Sequence, residues 1–306
     1  MDLEVRGELD MQKIKVKHGR LRKLTIGDFI IPAVLTVGAL IVILPVWHII
    51  MISIVPQHVY FQTPILMWPS EITFENFGQI FNNPMIQTGF RNTVFITLAS
   101  TAYNMFLNVT YAYVLLKPIP GKKLFWFILV FPMFFGGGLI PYFLLIRDLN
   151  LMNNLLAMVL PVAGLGITTV VLMQSYIRSL PSEVEEAARI DGAGDLRVLW
   201  NIILPLCKPM LATLSLFAAV GAWNRWFEGL LFMQRQDLWP LQLVLRNMLN
   251  NATLTLEGLP HELRATAFRA GLQSAAVVTA MIPIVIVYPF LQKYFVKGIT
   301  LGGVKG

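Results

Sequence analysis

A chain of 306 residues that is 56% hydrophobic and only 13% charged, with a mean hydropathy of +0.65, is too apolar for an ordinary soluble domain, in which charged residues run to about 25%. Its net charge of +7 does not point to nucleic acid, because the basic side chains gather at the ends of apolar runs, where membrane topology explains them. The single cysteine, Cys207, excludes an internal disulfide and a cysteine-cluster metal site, and the four histidines (His18, His48, His58 and His261) are too scattered for metal catalysis.

Residues 1–27 form a basic segment carrying Arg6, Lys13, Lys15, Lys17, Arg20, Arg22 and Lys23. The apolar run from Phe29 to Val55 is too long for a signal-peptide core and lacks a small-residue cleavage site, so it reads as a retained first span. Five further runs, 92–116, 124–146, 155–177, 210–233 and 275–296, reach the length of about 20 residues that crosses a bilayer. The expected architecture is an all-α integral membrane protein with six transmembrane helices in residues 28–297, and a short tail at 298–306. Six spans place both termini on one side. That side holds 17 Lys and Arg against 6 on the other, with Arg225 inside a span, so both termini and the segment 178–209 are assigned to the cytoplasm. The external loops are then 56–91 and 234–274.

Several spans carry polar groups. In the second, Thr97, Thr101, Asn104, Asn108 and Tyr111 follow one another at helical steps, which suits either interhelical hydrogen bonds or the lining of a translocation path. The third contains Gly136-Gly137-Gly138 and Pro141, so either a neighbouring helix comes close or the span bends. The fifth holds Trp223-Asn224-Arg225-Trp226-Phe227-Glu228. Arg225 and Glu228, three apart on a helix, are expected to pair, with the tryptophans in an interfacial belt. The functional alternative is a substrate contact, in which Trp223 and Trp226 stack on sugar rings while Asn224 and Arg225 bond hydroxyls or carboxylates. The loop 234–274 carries turn signals at Trp239-Pro240, Asn250-Asn251 and Leu259-Pro260, which predict short folded pieces.

The polar stretch between the fourth and fifth runs is far longer than the about 2 to 8 residues that a helix–helix connection needs. Ser182 and Glu185 have capping-box spacing that predicts a helix from Glu183, ended at Asp191-Gly192. Asp195 is expected to cap a second helix with Leu196, Leu199 and Ile203 on one face, interrupted at Pro205. The result is a helical elbow.

The elbow's pattern is Glu186-Ala187-Ala188, three residues, Gly192, nine residues, then Ile202-Ile203-Leu204-Pro205. It resembles the EAA loop of binding-protein-dependent ABC importer permeases. Asp191-Gly192-Ala193 with Leu204-Pro205-Leu206 resembles the sugar-importing branch. The end of the chain, Tyr294 to Gly298 and Gly302 to Gly306, resembles the smaller permease subunit of the maltose-transporter type. Gly136-Gly137-Gly138 and Trp223-Asn224-x-Trp226-Phe227 resemble permeases for complex or acidic oligosaccharides such as those of alginate. The resemblance covers nearly the whole chain. It implies the type I ABC importer permease fold in a bacterial inner membrane, a second homologous permease, two ATP-binding subunits and an extracytoplasmic solute-binding protein reached by the loop 234–274. It also implies that Glu186 meets a basic residue of the ATPase, that Ala187 and Ala188 keep the docking face small, that Gly192 supplies a turn, and that Gly302–Gly306 reach the same interface.

No Gly-x-x-x-x-Gly-Lys-Ser/Thr phosphate loop is present, so ATP and Mg belong to the partner ATPase and this chain is expected to bind no cofactor and to catalyse nothing itself. An amino-acid or peptide ABC permease shares the EAA loop and remains the near alternative. A stand-alone secondary carrier, the alternative from another class, would not need the elbow and would show matching broken helices in two halves.

Overall fold

The computed structural model describes residues 26–63, 67–161, 164, 166–250 and 268–303, with side chains described only within 29–289. The basic segment 1–25, the signals at Asn251 and Leu259-Pro260, and residues 304–306 lie outside the described residues. Two compact units are present, Met1–Trp47 and His48–Gly306. The first holds most of α1 (Ile26–Ser53), whose residues from Phe29 to Leu44 are exposed on every face.

The second unit is built along one long helix. After the short α2 (Gln57–Gln62) and α3 (Glu75–Phe81) comes α4 (Pro84–Leu116), 33 residues and about 50 Å long. Its start is fixed locally. Asn83 Oδ1 accepts the Met85 amide at 2.9 Å and Pro84 occupies the first turn, where its missing N–H costs nothing. The helix ends at Lys117, just before Pro118, a residue that disfavours helical geometry in its predecessor.

Three buried clusters are strung along α4. At its first turns Ile86 packs with Trp223, Leu241, Val244 and Leu272. In the middle Ile96 meets Ile146, Met158 and Phe232. At its end Val109, Ala112, Tyr113 and Leu115 pack with Val170, Met173, Val198, Ile203 and Cys207. Gly89 permits the closest approach: a Cβ there would lie 3.1 Å from Val244 Cγ2 and 3.2 Å from the Leu241 backbone.

The remaining spans differ from the uninterrupted helices that their apolar runs predict. The third is split into α5 (Lys122–Phe134) and α6 (Leu139–Asp148) by a break whose last residue, Gly138, has φ 84°. Among the described residues of this chain, no atom approaches the Cβ positions of Gly136 and Gly137 within 4 Å, so within the chain the glycines serve the break. The fourth run begins as a 3-10 turn, Leu155–Met158, and becomes helical only in α7 (Ile167–Arg178). After the elbow, formed by α8 (Ser182–Ile190) and α9 (Asp195–Leu206), the fifth run divides into α10 (Lys208–Trp223) and α11 (Phe227–Phe232). The chain then carries a 3-10 turn, Gln236–Leu238, and α12 (Leu241–Asn250), before the terminal α13 (Arg269–Gly303). By length and composition alone, two described stretches can cross a membrane unbroken, Phe29–Ser53 and Arg269–Pro289, and the bent pair α9–α10 makes a third if read as one span.

The segment 236–241 is pinned to α4 by polar groups. Asn92 donates to the carbonyls of Asp237 at 2.9 Å and Trp239 at 3.1 Å, and Thr93 Oγ1 accepts the Leu241 amide at 2.7 Å. Each bond uses a buried side chain of α4 to satisfy backbone that α12 and its approach leave open.

Candidate coupling elbow and outer cavity

The elbow begins differently from its capping-box reading. α8 starts at Ser182 with Pro181 before it, and no side chain caps it. Glu185, the expected capping partner, faces sideways instead. It accepts from Lys117 Nζ and from Arg189 at 3.0 Å, and Arg189 in turn bonds Asp195. Lys117 lies 3.8 Å from Asp195 and sits 4.6 Å above the Tyr113 ring, whose hydroxyl reaches Asp195 at 3.5 Å. Asp195 is therefore committed to this cluster and does not cap α9, which follows Gly194. Four charges and a phenol tie both arms of the elbow to the end of α4.

These contacts set the carboxylates' acidity. Burial raises the Glu185 pKa, but hydrogen bonds and charge from Lys117 and Arg189 outweigh it and hold the group below its ordinary value. Asp195 is held down chiefly by the Arg189 hydrogen bond.

α8 ends as expected at Asp191-Gly192. Gly192 has φ 80°, its amide bonds the Arg189 carbonyl at 3.0 Å, and the Ala193 amide bonds the Ala188 carbonyl at 2.9 Å. This is the pair of bonds that closes a helix through a left-handed residue. Glu186 and Ala187 are exposed, whereas the Ala188 methyl is turned into the chain's own core beside Val198 and Ile203. The exposed face includes Ile190 (86% exposed), Leu196 (73%) and Trp200 (56%). Leu196 thus does not share a buried face with Leu199 and Ile203; Val198 takes that place.

Pro205 does not interrupt α9 either. Residues Leu199–Ile203 form a π turn, whose wider winding relieves the clash between a proline ring and the carbonyl four residues back. Leu204 and Pro205 continue the helix to Leu206. The break falls at Cys207, where the axis turns by 82°. Pro209 has no N–H for the Pro205 carbonyl, so the ladder cannot run through. Cys207 itself is fully buried at the corner.

Three of the five polar residues in the α4 stripe are engaged within the chain, whereas the hydroxyls of Thr97 and Thr101 are buried without a hydrogen-bond partner among the described residues. Asn104 donates to the Gly164 carbonyl at 3.0 Å; the buried Asn108 donates to the Asn104 carbonyl at 2.8 Å and accepts the Gly166 amide at 2.7 Å. Tyr111 donates to the Phe125 carbonyl at 2.6 Å. The three residues hold the irregular segment before α7, and the start of α5, against α4.

The group at 223–228 is dispersed by the break between α10 and α11. Trp223 is buried, its ring edge-on to Phe90 and its Nε1 donating to the Ala280 carbonyl at 3.1 Å. Arg225 turns inward, donating to the Met158 carbonyl and to Ser100 Oγ at 3.4 Å. No ion pair joins Arg225 to Glu228 among the described residues, because the chain leaves helical geometry at Asn224 and the three-residue spacing no longer aligns them. Asn224 and Trp226 remain accessible and line a cavity of about 460 Å³ with Gln242, Arg246, Asn250 and Leu245. The Arg246 guanidinium lies 3.7 Å above the Trp226 ring centre.

Sequence reasoning missed two of these residues. Lys117 was visible only as a basic residue at a span end, 68 positions from Glu185. Arg246 counted only as an external charge, although Gln242, Arg246 and Asn250 recur at steps of four among leucines.

A family model described as "Binding-protein-dependent transport system inner membrane component" matches residues 114–301. Protein LplC of Bacillus subtilis (strain 168) is 37% identical over 271 residues, covering 88% of this chain and 91% of its own. The polygalacturonan/rhamnogalacturonan transport system permease protein YtcP of the same organism is 33% identical over 285 residues, 91% of this chain and 98% of its own. Among solved structures, a chain of a bacterial ABC transporter involved in the import of the acidic polysaccharide alginate superposes with a TM-score of 0.78 at 32% identity, covering 89% of this chain and 99% of that one. This chain belongs to the family of inner membrane components of binding-protein-dependent transport systems.

Proposed function

We propose that the chain is the permease subunit of an ATP-driven oligosaccharide importer, forming half of the translocation path and coupled to an ATPase through the elbow at 178–209. The observation that carries the coupling is the exposed Glu186–Ala187 edge and its apolar neighbours Ile190, Leu196 and Trp200 on a segment braced by the Lys117–Glu185–Arg189–Asp195 cluster. An apolar face of this kind, rimmed by charge, suits a protein partner. The substrate class is supported by relatives that carry polysaccharide fragments and by the extent of the match to them. The reading includes six spans with both termini in the cytoplasm of a bacterial inner membrane, a second homologous permease, two ATP-binding subunits and a soluble binding protein outside. ATP and Mg are bound by the ATPase, since this chain carries no phosphate loop.

The test is co-purification followed by reconstitution. An ATPase and a second permease should accompany the chain from detergent-solubilised membranes, and ATP hydrolysis in proteoliposomes should rise when the binding protein is loaded with oligosaccharide. A chain that purifies alone and transports without ATP would be a secondary carrier.

A further inference from the structure

The cavity beside α12 has a chemistry that the elbow does not explain. Its polar groups come from two stretches. Gln242, Arg246 and Asn250 stand at successive steps of four on α12, a spacing that puts them on one face of the helix, each about 6 Å beyond the last. Asn224 and Trp226, the latter directly beneath Arg246, sit in the break between α10 and α11. The floor is apolar and comes partly from α13 through Val277, Met281 and Ile284. At about 460 Å³ the space is within the range of about 300–1,000 Å³ typical of small-ligand sites.

Arg246 is held in a particular way. Lying 3.7 Å over the Trp226 ring, the exposed guanidinium is held by the ring in place before any ligand arrives, and a planar guanidinium over an aromatic face can still offer N–H groups to an anion. Such a group matches a carboxylate in bidentate geometry better than it matches a neutral hydroxyl. The flanking amides of Gln242 and Asn250, with the Asn224 amide oxygen and the second N–H of its Nδ2, which already donates to the Val220 carbonyl at 3.0 Å, offer both donors and acceptors, the mixture that ring hydroxyls require. Trp223 cannot stack on a sugar because it is buried, and Arg225 is turned toward Met158. Among the described residues lining the cavity, the accessible cation is Arg246. The cavity's parts are also tied together: Trp223 Nε1 bonds Ala280 across α10 and α13, and Gln273 of α13 donates to the Met248 carbonyl of α12 at 2.9 Å.

We propose that this cavity is a subsite for an acidic sugar residue, with Arg246 receiving the uronate carboxylate, Trp226 positioning Arg246, and Gln242, Asn224 and Asn250 bonding ring hydroxyls. The subsite rests on the oligosaccharide-importer reading and narrows its substrate to uronate-bearing chains.

The experiment uses the complete transporter with its binding protein in proteoliposomes and two probes of equal length, an oligogalacturonate and its carboxyl-reduced neutral counterpart. The wild-type complex should take up the acidic probe in preference. Arg246→Gln should lower the acidic-to-neutral uptake ratio on the order of tenfold, as expected for losing a hydrogen bond to a charged group. Arg246→Lys, which keeps the charge but not the planar fork, should lower it less. Trp226→Leu should fall between wild type and Arg246→Gln. An unchanged ratio in both Arg246 variants overturns the subsite while leaving the importer reading intact. So does wild-type uptake of the neutral probe alone. A wild-type complex that takes up neither probe also overturns the subsite.

Discussion

Lys117, the residue that closes α4, donates its ammonium to Glu185 in the first arm of the elbow, although the two are 68 positions apart. Both side chains are mostly shielded, at 21% and 27% exposure, and Asp195 of the second arm lies within reach of the same ammonium. Both arms of the elbow are thereby tied to the end of α4. Lys117→Ala should reduce substrate-stimulated ATP hydrolysis several-fold and lower the stability of the purified complex by about 1–2 kcal/mol, between the values for exposed and buried pairs. The decisive measurement is the double-mutant cycle with Glu185→Ala. The two single losses should sum to more than the loss in the double variant, whereas strict additivity would show that the pair contributes nothing as a pair.

The same cluster makes the elbow sensitive to acid. Glu185 and Asp195 are held below their ordinary values of 4.5 and 3.8, so the folded elbow binds fewer protons than the unfolded one. Their contribution is complete above those ordinary values and is lost as pH falls through the lower, folded ones. A spin label at Ala187→Cys should report constant mobility from about pH 8 to about pH 6, then rising mobility below about pH 4.5. Glu185→Gln should blunt the acid transition. A label whose mobility changes near neutrality would implicate other groups.

At Gly192 the φ of 80° places the backbone where a side chain is strained even though the space around it is open. Gly192→Ala should cost about 1 kcal/mol in elbow stability and leave coupling measurable. Gly192→Pro cannot reach this angle and also loses the amide bond to Arg189, so it should abolish stimulated ATP hydrolysis while the chain still inserts in the membrane. Glu186→Lys should do the same by reversing charge on the exposed edge. Normal stimulation in both would separate the elbow from the ATPase.

Asn108 offers a test of the α4 stripe. Its amide oxygen is the acceptor for the Gly166 amide, and Asn108→Leu would leave that donor open at a cost of about 1–3 kcal/mol. The expected outcome is a lower melting temperature for the complex with an unaltered preference among oligosaccharides. A changed preference at full stability would assign Asn108 to the translocation path instead.

The sequence makes the elbow's end legible because Asp191-Gly192 encodes a local event, a left-handed residue after a short helix. It makes the limits of α4 partly legible, since Pro118 stops the helix and Pro84 starts it eight residues ahead of the apolar run at 92–116. The breaks at 135–138 and in the fourth run are harder to see. Leu, Val, Ala and Phe look alike in a straight span and in an irregular segment packed against α4. Arg225 shows a different limit: its partner is the carbonyl of Met158, and a carbonyl has no letter. Glu228 looked like the natural partner only because a helix was assumed to continue through Asn224. Ser182, Glu185 and Asp195 were read as local caps because capping is a local rule, whereas a distant lysine claims two of them.

The 82° corner at Cys207 has a geometric consequence for the two rods that meet there. Motion along the axis of one has almost no component along the axis of the other. A push along the axis of α9 would therefore not drive α10 lengthwise like a piston; it would reach α10 as a sideways displacement at the end that meets the buried cysteine. Near-orthogonality acts as a filter on direction, passing sideways displacement and rejecting axial thrust.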